Sequence, residues 1–337
     1  MKQIKEQIEL KKILGSQLRS AKQLNGFFEA DCEIVKLGPK NFLVTSMDSL
    51  GEEMSIGLYK DVETWAWMTV MSSVSDLAAS GASAIGMTLS TQWAFGTSKE
   101  MQKKFFAEVK RACLKSKVPL LGGDSGYAKD HVFTSSILGQ ATSTPLTRLG
   151  AKAGDYLVLA HKKDLGAGPA LAYRYLTESS DELFPESSFR PQPAWDLTQR
   201  LRPLISAAID TSDGLGPCLY LLGLLNDLGF ELQWQQNIHH PQALKFCERM
   251  RISPVMLWLG DHGDFQTLYV VPERNLARLP KQGLTILGRL QKKKTYSLKY
   301  NNQKIELPLA EIANTPRDAA SYARLYRSNV NYLKRYL

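Results

Sequence analysis

The alternation of apolar and polar residues predicts short strands spread over most of the chain. Each is an apolar run of about five to eight residues bounded by glycine, proline or polar residues, the usual length and setting of a strand. The first of them leads into Asp48. The predicted strands are residues 41–45, 132–139, 156–160, 205–209, 265–271 and 284–290.

Longer segments carry apolar residues at the spacing of one helix face. Asp61 can cap one such helix and Gly81 can end it, while Gly26 is expected to end a basic amphipathic helix at the N-terminus. We also expect a turn at Gly122-Gly123-Asp124 and a polar surface loop over residues 177–200. The predicted helices are residues 1–24, 61–81, 99–115, 169–176, 217–228 and 310–337.

A polar, glycine-containing connector near residues 147–155 predicts a domain boundary. Beyond it, the order of strand, glycine turn and helix begins again. Because the strands and helices alternate without requiring an all-parallel sheet, we predict two α+β domains. The predicted segments are a basic N-terminal helix (1–26), a first domain (27–148), a second domain (149–305) and a helical tail (306–337).

Composition and charge narrow the class of protein. The chain is 44% hydrophobic and 22% charged, as in folded globular proteins, and no apolar run reaches the roughly 18 to 20 residues that cross a bilayer. The four cysteines form no C-x-x-C pair and no apolar signal segment begins the chain, so we expect no zinc, no disulfides and a cytoplasmic location. The net charge is +9, but basic residues are scattered or gathered at the ends without an aromatic-rich stripe, which argues against nucleic-acid binding.

Against this basic background, five short acidic stretches stand beside glycine and serine. Carboxylates in such settings suit magnesium, which commonly bridges protein carboxylates and nucleotide phosphates. Because the stretches are far apart in the chain, we predict that distant segments converge on one polyphosphate site. The stretches are residues 46–48, 75–82, 122–125, 210–214 and 260–264.

Residues 210–215, with the sequence Asp-Thr-Ser-Asp-Gly-Leu, are the most specific of these motifs. Asp210 and Asp213 can present two carboxylates on one turn, with the Ser212 hydroxyl and helix N-terminal amides facing a phosphate oxygen. The alternative is that Asp213 or Ser212 only caps the following helix, which is worth about 1 kcal/mol but leaves Asp210 unexplained. No P-loop, kinase glycine loop or dinucleotide fingerprint is present, so a bound nucleotide requires another architecture.

The other motifs are more ambiguous on their own. Gly122-Gly123-Asp124 can expose amides to a ligand or form an ordinary tight turn. Asp76, near a predicted helix end, opposes the helix dipole unless a cation lies nearby, or else belongs to a solvated helix face. His262 can bind metal or act as a base, but is more often a loop residue bonded to its neighbours. Trp65 and Trp67 are expected to pack.

Taken in order, the motifs resemble those of the superfamily of aminoimidazole ribonucleotide (AIR) synthetase and selenophosphate synthetase, and most of all the thiamine-monophosphate kinases. The resemblance spans about residues 29–290. The family's Ser-Asp-Leu-Ala-Ala-x-Gly-Ala, Gly-Gly-Asp and Asp-x-Ser-Asp-Gly-Leu are intact, at residues 75–82, 122–124 and 210–215. Asp31 and Asp48 match the two early acidic motifs, and Arg148 matches the nucleotide-contacting arginine.

This resemblance implies an AIR synthetase-like fold: two α+β domains with mixed sheets, helices packed on one side and N-terminal domains paired in a homodimer. Residues 27–148 would be the ATP-binding domain. It also implies ATP as co-substrate, Mg²⁺ as cofactor, a small-molecule acceptor, and catalysis by positioning and charge neutralisation.

The same analogy assigns roles to residues. The implied metal ligands are Asp31, Asp48, Asp76, Asp124, Asp210 and Asp213. The implied nucleotide contacts are Gly122, Gly123, Asp124, Arg148 and Ser212. The implied catalytic residues are Asp210 and Asp213, and the implied acceptor contacts are Asp264 and Gln266.

The chain departs from the family mainly on the acceptor side. Ala30 replaces the first aspartate of a pair, and residues 50–55 and 262–269 lose a histidine and two acidic groups. The expected function is magnesium-dependent phosphoryl transfer from ATP to a small molecule, with thiamine monophosphate as the default acceptor. Two alternatives stay open: a synthetase that activates an amide or similar oxygen as a phosphate ester, and a degenerate nucleotide-binding regulatory protein.

Overall fold

The computed structural model describes residues 4–177, 184–316 and 318–334. Two β-sheets in this part of the chain pack on either side of a buried helix. The strands are β1 (Glu33–Gly38), β2 (Asn41–Ser49), β3 (Ser83–Ala94), β4 (Leu120–Ala128), β5 (Val132–Ala141), β6 (Tyr156–Ala160), β7 (Ala207–Asp210), β8 (Gly229–Gln233), β9 (Thr267–Val271), β10 (Leu284–Gln291), β11 (Tyr296–Tyr300) and β12 (Gln303–Glu306). The helices are α1 (Lys5–Leu14), α2 (Gly51–Ser55), α3 (Val62–Ser80), α4 (Lys99–Ser116), α5 (Ala167–Leu176), α6 (Trp195–Leu201), α7 (Leu215–Asn226), α8 (Pro241–Met250), α9 (Leu309–Ile312) and α10 (Ala319–Leu333).

The first sheet has the strand order β1-β2-β5-β3-β4, antiparallel except for the parallel pair β3 and β4. Helices α3 and α4 pack together, with α3 lying on β2 and β5. Helix α4 begins where predicted because the Ser98 hydroxyl accepts a bond from the Met101 amide, a normal N-cap. Strand β2 extends beyond its predicted end, so Asp48 lies within the strand and pairs with Ser135 of β5.

The predicted turn at Gly122-Gly123-Asp124 is wrong, because all three residues lie inside β4. Both glycines have positive φ, +148° and +155°. A Cβ at Gly123 would lie 1.8 Å from the Leu89 carbonyl oxygen, so β4 approaches β3 too closely for any side chain there. Glycine here permits the close pairing of two strands. Because glycine is also typical of turns, the sequence does not distinguish the two structures.

Helix α3 lies between the two sheets, since it also contacts β7 and β9. Nearly all of its residues are buried, and its small residues near the C-terminus allow both sheets to approach closely. Gly81 ends it in the left-handed conformation, as predicted. Asp61 stands at the N-cap but makes no side-chain cap; the Glu186 carboxylate accepts bonds from the Lys60 and Asp61 amides instead.

The second sheet has the order β12-β11-β8-β10-β6-β9-β7 and is mixed, with β8 and β11 parallel. Helices α5, α7, α8 and α10 surround its core, and α10 packs on α5 within the same half of the chain. The connector at residues 147–155 lies between the last strand of one sheet and the first of the other. Division of the chain into domains at that point stays a prediction.

Two predicted segments differ from the structure. The N-terminal helix, predicted over residues 1–24, is only α1, which ends at Leu14 and not near Gly26; residues 1–3 lie outside the described part. The predicted surface loop over residues 177–200 contains α6 and a buried strap in which Phe184 and Phe189 are core residues; residues 178–183 of it are not described. Within the described residues, no helix is both long and apolar enough to cross a membrane.

Candidate active site

Three carboxylates from distant parts of the chain meet between the two sheets. Asp31 precedes β1, Asp76 lies in the last turns of α3, and Asp210 is the final residue of β7. One oxygen from each lies within 4.8 Å of the other two. Of the five acidic stretches predicted to converge, residues 75–82 and 210–214 contribute to this group.

The buried helix α3 and strand β7 hold the Asp210 side chain from two directions. The Ser75 hydroxyl donates to its Oδ2 over 2.7 Å, and the Ser212 hydroxyl donates to its Oδ1 over 2.9 Å. Ser212 is thus bonded to Asp210 and does not cap α7. The N-cap of α7 is Gly214, so the alternative in which Ser212 only caps this helix is wrong.

Arg148 orients Asp31. Its guanidinium donates to Asp31 Oδ1 from Nη2 at 2.7 Å and from Nε at 3.2 Å. A third guanidinium bond goes to the Phe28 carbonyl, and the backbone amide of Arg148 donates to the Glu29 carbonyl. Both side chains are largely buried, so this ion pair fixes the segment before β1 against the connector between the sheets.

Asp48 and Asp213 lie beside the three converging carboxylates. The Ser73 hydroxyl donates to Asp48 Oδ2 over 3.0 Å, and the Ser46 hydroxyl bonds to Asp76. Burial raises the pKa of Asp48, and the nearby Asp213 carboxylate raises it further. Together with Asp31 and Asp210, these residues make up the acidic cluster, defined here as Asp31, Asp48, Asp76, Asp210 and Asp213.

Burial and mutual repulsion determine the electrostatics of the acidic cluster. Burial raises the pKa of Asp76 well above its ordinary value, and the carboxylates of Asp48, Asp210 and Asp31 raise it further. Burial, followed by the Asp31 charge, raises the pKa of Asp210 to about 8, although Ser75, Ser212 and Arg148 oppose this shift. Carboxylates in this arrangement favour either bound protons or a cation that offsets their charge.

The donor set suits a hard divalent cation. All ligand atoms that the cluster offers are carboxylate oxygens, which magnesium prefers, whereas zinc sites draw mainly on nitrogen and sulfur. Two thiols, Cys32 and Cys218, lie close by, but burial first and the surrounding aspartates next raise the pKa of each. Thiols held protonated in this way are poor nucleophiles and poor metal ligands.

Asp124 is placed apart from the acidic cluster. It pairs with Ser90 of β3, and that position alternates with the buried Leu89, which faces the helices. Asp124 therefore lies on the face of the first sheet opposite to α3, and β4 is largely exposed. Its role as a metal ligand, and that of Gly122 and Gly123 as nucleotide contacts, stay predictions.

The loop of residues 259–266, which precedes β9, contacts the start of α5. The Asp264 carboxylate accepts from the Gly166 and Gly168 amides over 2.6 and 2.7 Å, and Gln266 Nε2 donates to Asp164. Burial raises the pKa of Asp264 to about 7 even though these amides oppose the shift. Both residues are predicted acceptor contacts. In the structure, Asp264 contacts the start of α5 and Gln266 contacts the segment just before it.

His262 lies in a buried aromatic cluster on the same loop. Its Nε2 is 3.0 Å from the Tyr59 hydroxyl, and its ring lies against Phe189 and Phe265. Among the described residues, the group of potential metal ligands does not include it. This surrounding matches the alternative of a loop histidine bonded to its neighbours.

The predicted site residues include Ser212 but not three other serines that bond to carboxylates of the cluster. Ser46 stands two residues before Asp48, on the same face of β2, and Ser73 and Ser75 lie on α3 near Asp76. Serine is too common a residue for the sequence alone to single these three out.

Comparison with known proteins agrees with this geometry. The sequence family described as "AIR synthase related protein, N-terminal domain" matches residues 29–141. A thiamine-monophosphate kinase from Archaeoglobus fulgidus is 25% identical over 267 residues, covering 78% of this chain and 82% of that protein. One from Halobacterium salinarum is 28% identical over 231 residues, covering 67% and 76%.

A solved structure shares the whole architecture. AaThiL complexed with AMPPCP and TMP superposes with a TM-score of 0.72 at 21% identity, over 88% of this chain and 93% of that one. The two mixed sheets and their helices therefore form the AIR synthetase-like fold, as the sequence predicted. The chain is therefore similar in sequence to proteins named thiamine-monophosphate kinase over most of its length, and residues 29–141 match the AIR synthase related N-terminal domain.

Proposed function

We propose that this chain is a magnesium-dependent enzyme that transfers a phosphoryl group from ATP to a small molecule, with thiamine monophosphate as the default acceptor. The observation that carries the proposal is the acidic cluster: carboxylate oxygens of Asp31, Asp76 and Asp210 lie together, and burial followed by the neighbouring carboxylates raises the pKa of Asp76. Relatives named thiamine-monophosphate kinase, and AaThiL in complex with AMPPCP and TMP, support ATP and this acceptor.

We propose roles for the residues of the acidic cluster and for those that bond to them. Asp31, Asp76 and Asp210 would hold magnesium, which supplies charge neutralisation at the transferring phosphoryl group. Arg148 keeps Asp31 in place, and Ser75 and Ser212 orient the two oxygens of Asp210. The protein contributes mainly orientation and preorganised charge, because phosphoryl transfer needs little covalent help from side chains.

Residues at the start of α7 extend the site toward phosphate. Ser212 and Asp213 precede the first turn of this 12-residue helix, whose amides and dipole favour negative charge. Asp213 near Asp48 adds a carboxylate on the acceptor side. Asp264 and Gln266 lie next in the chain to β9 and would act on the acceptor through the loop that they hold.

The chain is also proposed to form a homodimer through the open face and β4 edge of the first sheet. Large apolar side chains are exposed there, and β4 is an edge strand with free pairing capacity on its outer side. These side chains are Met47, Ile85, Phe95, Leu120, Leu121 and Tyr127. Pairing would cover them, and a cytoplasmic location fits the four reduced cysteines.

Sedimentation velocity tests the dimer. Leu121→Glu places a charge in the exposed apolar surface and is expected to give a monomer. Leu18→Glu changes a fully exposed leucine outside that sheet and serves as the matched control, which stays dimeric. A wild-type monomer at micromolar concentration overturns the dimer proposal.

Product analysis tests the reaction. Purified protein is incubated with ATP, Mg²⁺ and thiamine monophosphate, and ADP and thiamine diphosphate are measured by chromatography. Equal amounts of both products support the proposal. ADP and inorganic phosphate without a phosphorylated product indicate synthetase chemistry, and nucleotide binding without turnover of any acceptor indicates a regulatory protein.

A further inference from the structure

A cavity of about 760 Å³ lies away from the acidic cluster, in a groove between the two sheets. One wall comes from α3, the start of β3 and the end of α4. The other comes from the segment after β6, from α6 and its approach, and from residues 280–283. Its volume is in the range of pockets that enclose small organic ligands, about 300 to 1,000 Å³.

The groove carries a strong excess of positive charge. Four of its lining side chains are cationic, namely Lys115, Lys117, Lys162 and Arg200. Among the lining residues that the structure describes, the opposing carboxylate is that of Asp196, which pairs with Lys117 Nζ at 3.3 Å. Lys162 bonds to the neutral amide oxygen of Gln192. The remaining positive charge therefore favours an anion in the groove.

His161 adds no positive charge to this balance. Its Nδ1 accepts from the Lys163 amide, and its Nε2 bonds to the Thr285 hydroxyl. Burial lowers the pKa of the imidazole, which favours the neutral ring. The lysines and the arginine therefore define the electrostatics of the groove.

The floor of the groove is apolar and held in place. Met71 and Val74 of α3 lie beside Trp195 of α6 in its lining. The Trp195 indole Nε1 donates to the Ala82 carbonyl at 2.7 Å, and Gln199 Nε2 donates to the same oxygen at 3.0 Å. These bonds tie α6 to the start of β3, so the indole is fixed before any ligand arrives.

We propose that this interdomain groove is a second ligand site, which binds a small organic phosphate carrying a flat ring. The phosphate would lie among Lys115, Lys162 and Arg200, and the ring would lie on the floor made by Met71, Val74 and Trp195. Arginine and lysine together are the usual phosphate-binding side chains, and the apolar floor adds affinity that inorganic phosphate cannot gain.

Isothermal titration calorimetry with phenyl phosphate, without Mg²⁺ or nucleotide, tests the proposal. The wild type is expected to bind it at least about tenfold more tightly than inorganic phosphate, because only the ester covers the floor. Equal affinity for the two probes, or no binding of phenyl phosphate, overturns the proposal.

A pair of charge-matched variants locates the site. Lys162→Gln/Arg200→Gln is expected to weaken phenyl phosphate binding at least about tenfold. Lys103→Gln/Lys245→Gln removes two exposed helix lysines, one from each half of the chain, and keeps wild-type affinity. The same loss in both variants would show a nonspecific charge effect and overturn the proposal.

Asp210→Asn separates this groove from the proposed catalytic site. Phenyl phosphate binding is expected to be unchanged in this variant, because Asp210 does not line the groove. Loss of binding would place the probe at the acidic cluster and overturn the second site. Failure of ATP turnover in the wild type would leave the groove experiment intact.

Discussion

The acidic cluster and the loop of residues 259–266 both contain buried carboxylates, yet they satisfy them in opposite ways. Asp264 on the loop receives two backbone amides from the start of α5. In the cluster, the carboxylates of Asp31, Asp76 and Asp210 lie close to one another. Burial raises the pKa of Asp76, and the charges of Asp210 and Asp31 raise it further. A buried carboxylate that accepts hydrogen bonds from the protein stabilises the fold. Carboxylates held close together instead favour the binding of protons or of a cation.

The largest expected effect comes from neutralising one carboxylate of the acidic cluster. Asp210→Asn is expected to lower kcat/KM for ATP by about 100-fold or more, because a preorganised charge at the phosphoryl group is lost. Its thermal stability should equal or exceed that of the metal-free wild type above about pH 8, where the Asp210 carboxylate is charged and repels its neighbours.

Circular dichroism and coupled ADP detection measure both properties. Asp227→Asn, an exposed aspartate paired with Lys294, is the control and should leave activity unchanged. Full activity in Asp210→Asn would remove Asp210 from the site.

The loop carboxylate should behave in the reverse manner. Asp264→Leu leaves the buried Gly166 and Gly168 amides without acceptors, at a cost of about 1 to 3 kcal/mol for each. Urea denaturation is expected to show this loss of stability, while the exposed control Asp196→Leu shows almost none. A stable Asp264→Leu protein that is inactive would instead assign Asp264 to the acceptor site.

The pH dependence of stability sharpens the contrast. The pKa of Asp210 is raised to about 8 in the folded chain by burial and by Asp31, against about 3.9 in an unfolded chain. The folded protein thus keeps a proton that the unfolded chain releases. Stability from this group is fully present below about pH 4 and lost progressively as the pH rises to about 8.

Differential scanning fluorimetry of metal-free protein checks this effect. The melting temperature of the wild type should fall between pH 5 and pH 8 more than that of Asp210→Asn. Mg²⁺ should raise the wild-type melting temperature more at pH 8 than at pH 6, because protons compete with the cation for the carboxylates. Equal slopes for the two proteins would contradict the raised pKa.

The smallest expected effect comes from a single hydroxyl. Ser75→Ala removes the bond to Asp210 Oδ2 and is expected to lower kcat about threefold to tenfold, as for the loss of one hydrogen bond worth about 1 kcal/mol. Ser72→Ala, in the same helix, removes a buried hydroxyl without a bonded partner and should leave kcat unchanged. Steady-state kinetics at saturating Mg²⁺ distinguish the two variants.

The sequence predicts the fold well where a local pattern decides the structure. Helices α3 and α4 and strand β6 follow from apolar spacing, end signals and the Ser98 cap. The glycines of β4 misled because the same residue allows a turn or the close approach of two strands, and only the partner strand β3 distinguishes them.

Tertiary contacts explain the other misses. The segment around Phe189 looks polar in sequence but is buried because Glu186 and Arg190 bond to the start of α3 and to α4. The start of α1 also has a distant contact, since the Lys5 amide donates to Asn314 Oδ1, whereas its end at Leu14 coincides with Gly15 at the C-cap.

The candidate site shows the same division. The acidic stretches located Asp76 and Asp210, because acidic residues beside small residues are a local signal, whereas Asp31 was identified only through the family resemblance. The placement of Asp124 on the opposite face of the sheet depends on strand register, which the Gly-Gly-Asp sequence does not carry. The serines that orient the carboxylates are common residues and become informative only when their partners are known.

Magnesium-dependent binding of AMPPCP, measured by isothermal titration calorimetry, tests the central claim most directly. We expect the wild type to bind AMPPCP with Mg²⁺ and much more weakly without it. In Asp210→Asn, we expect Mg²⁺ not to increase the affinity for AMPPCP. Equal binding with and without Mg²⁺, or an unchanged magnesium effect in Asp210→Asn, would contradict the assignment of the acidic cluster as the metal–nucleotide site.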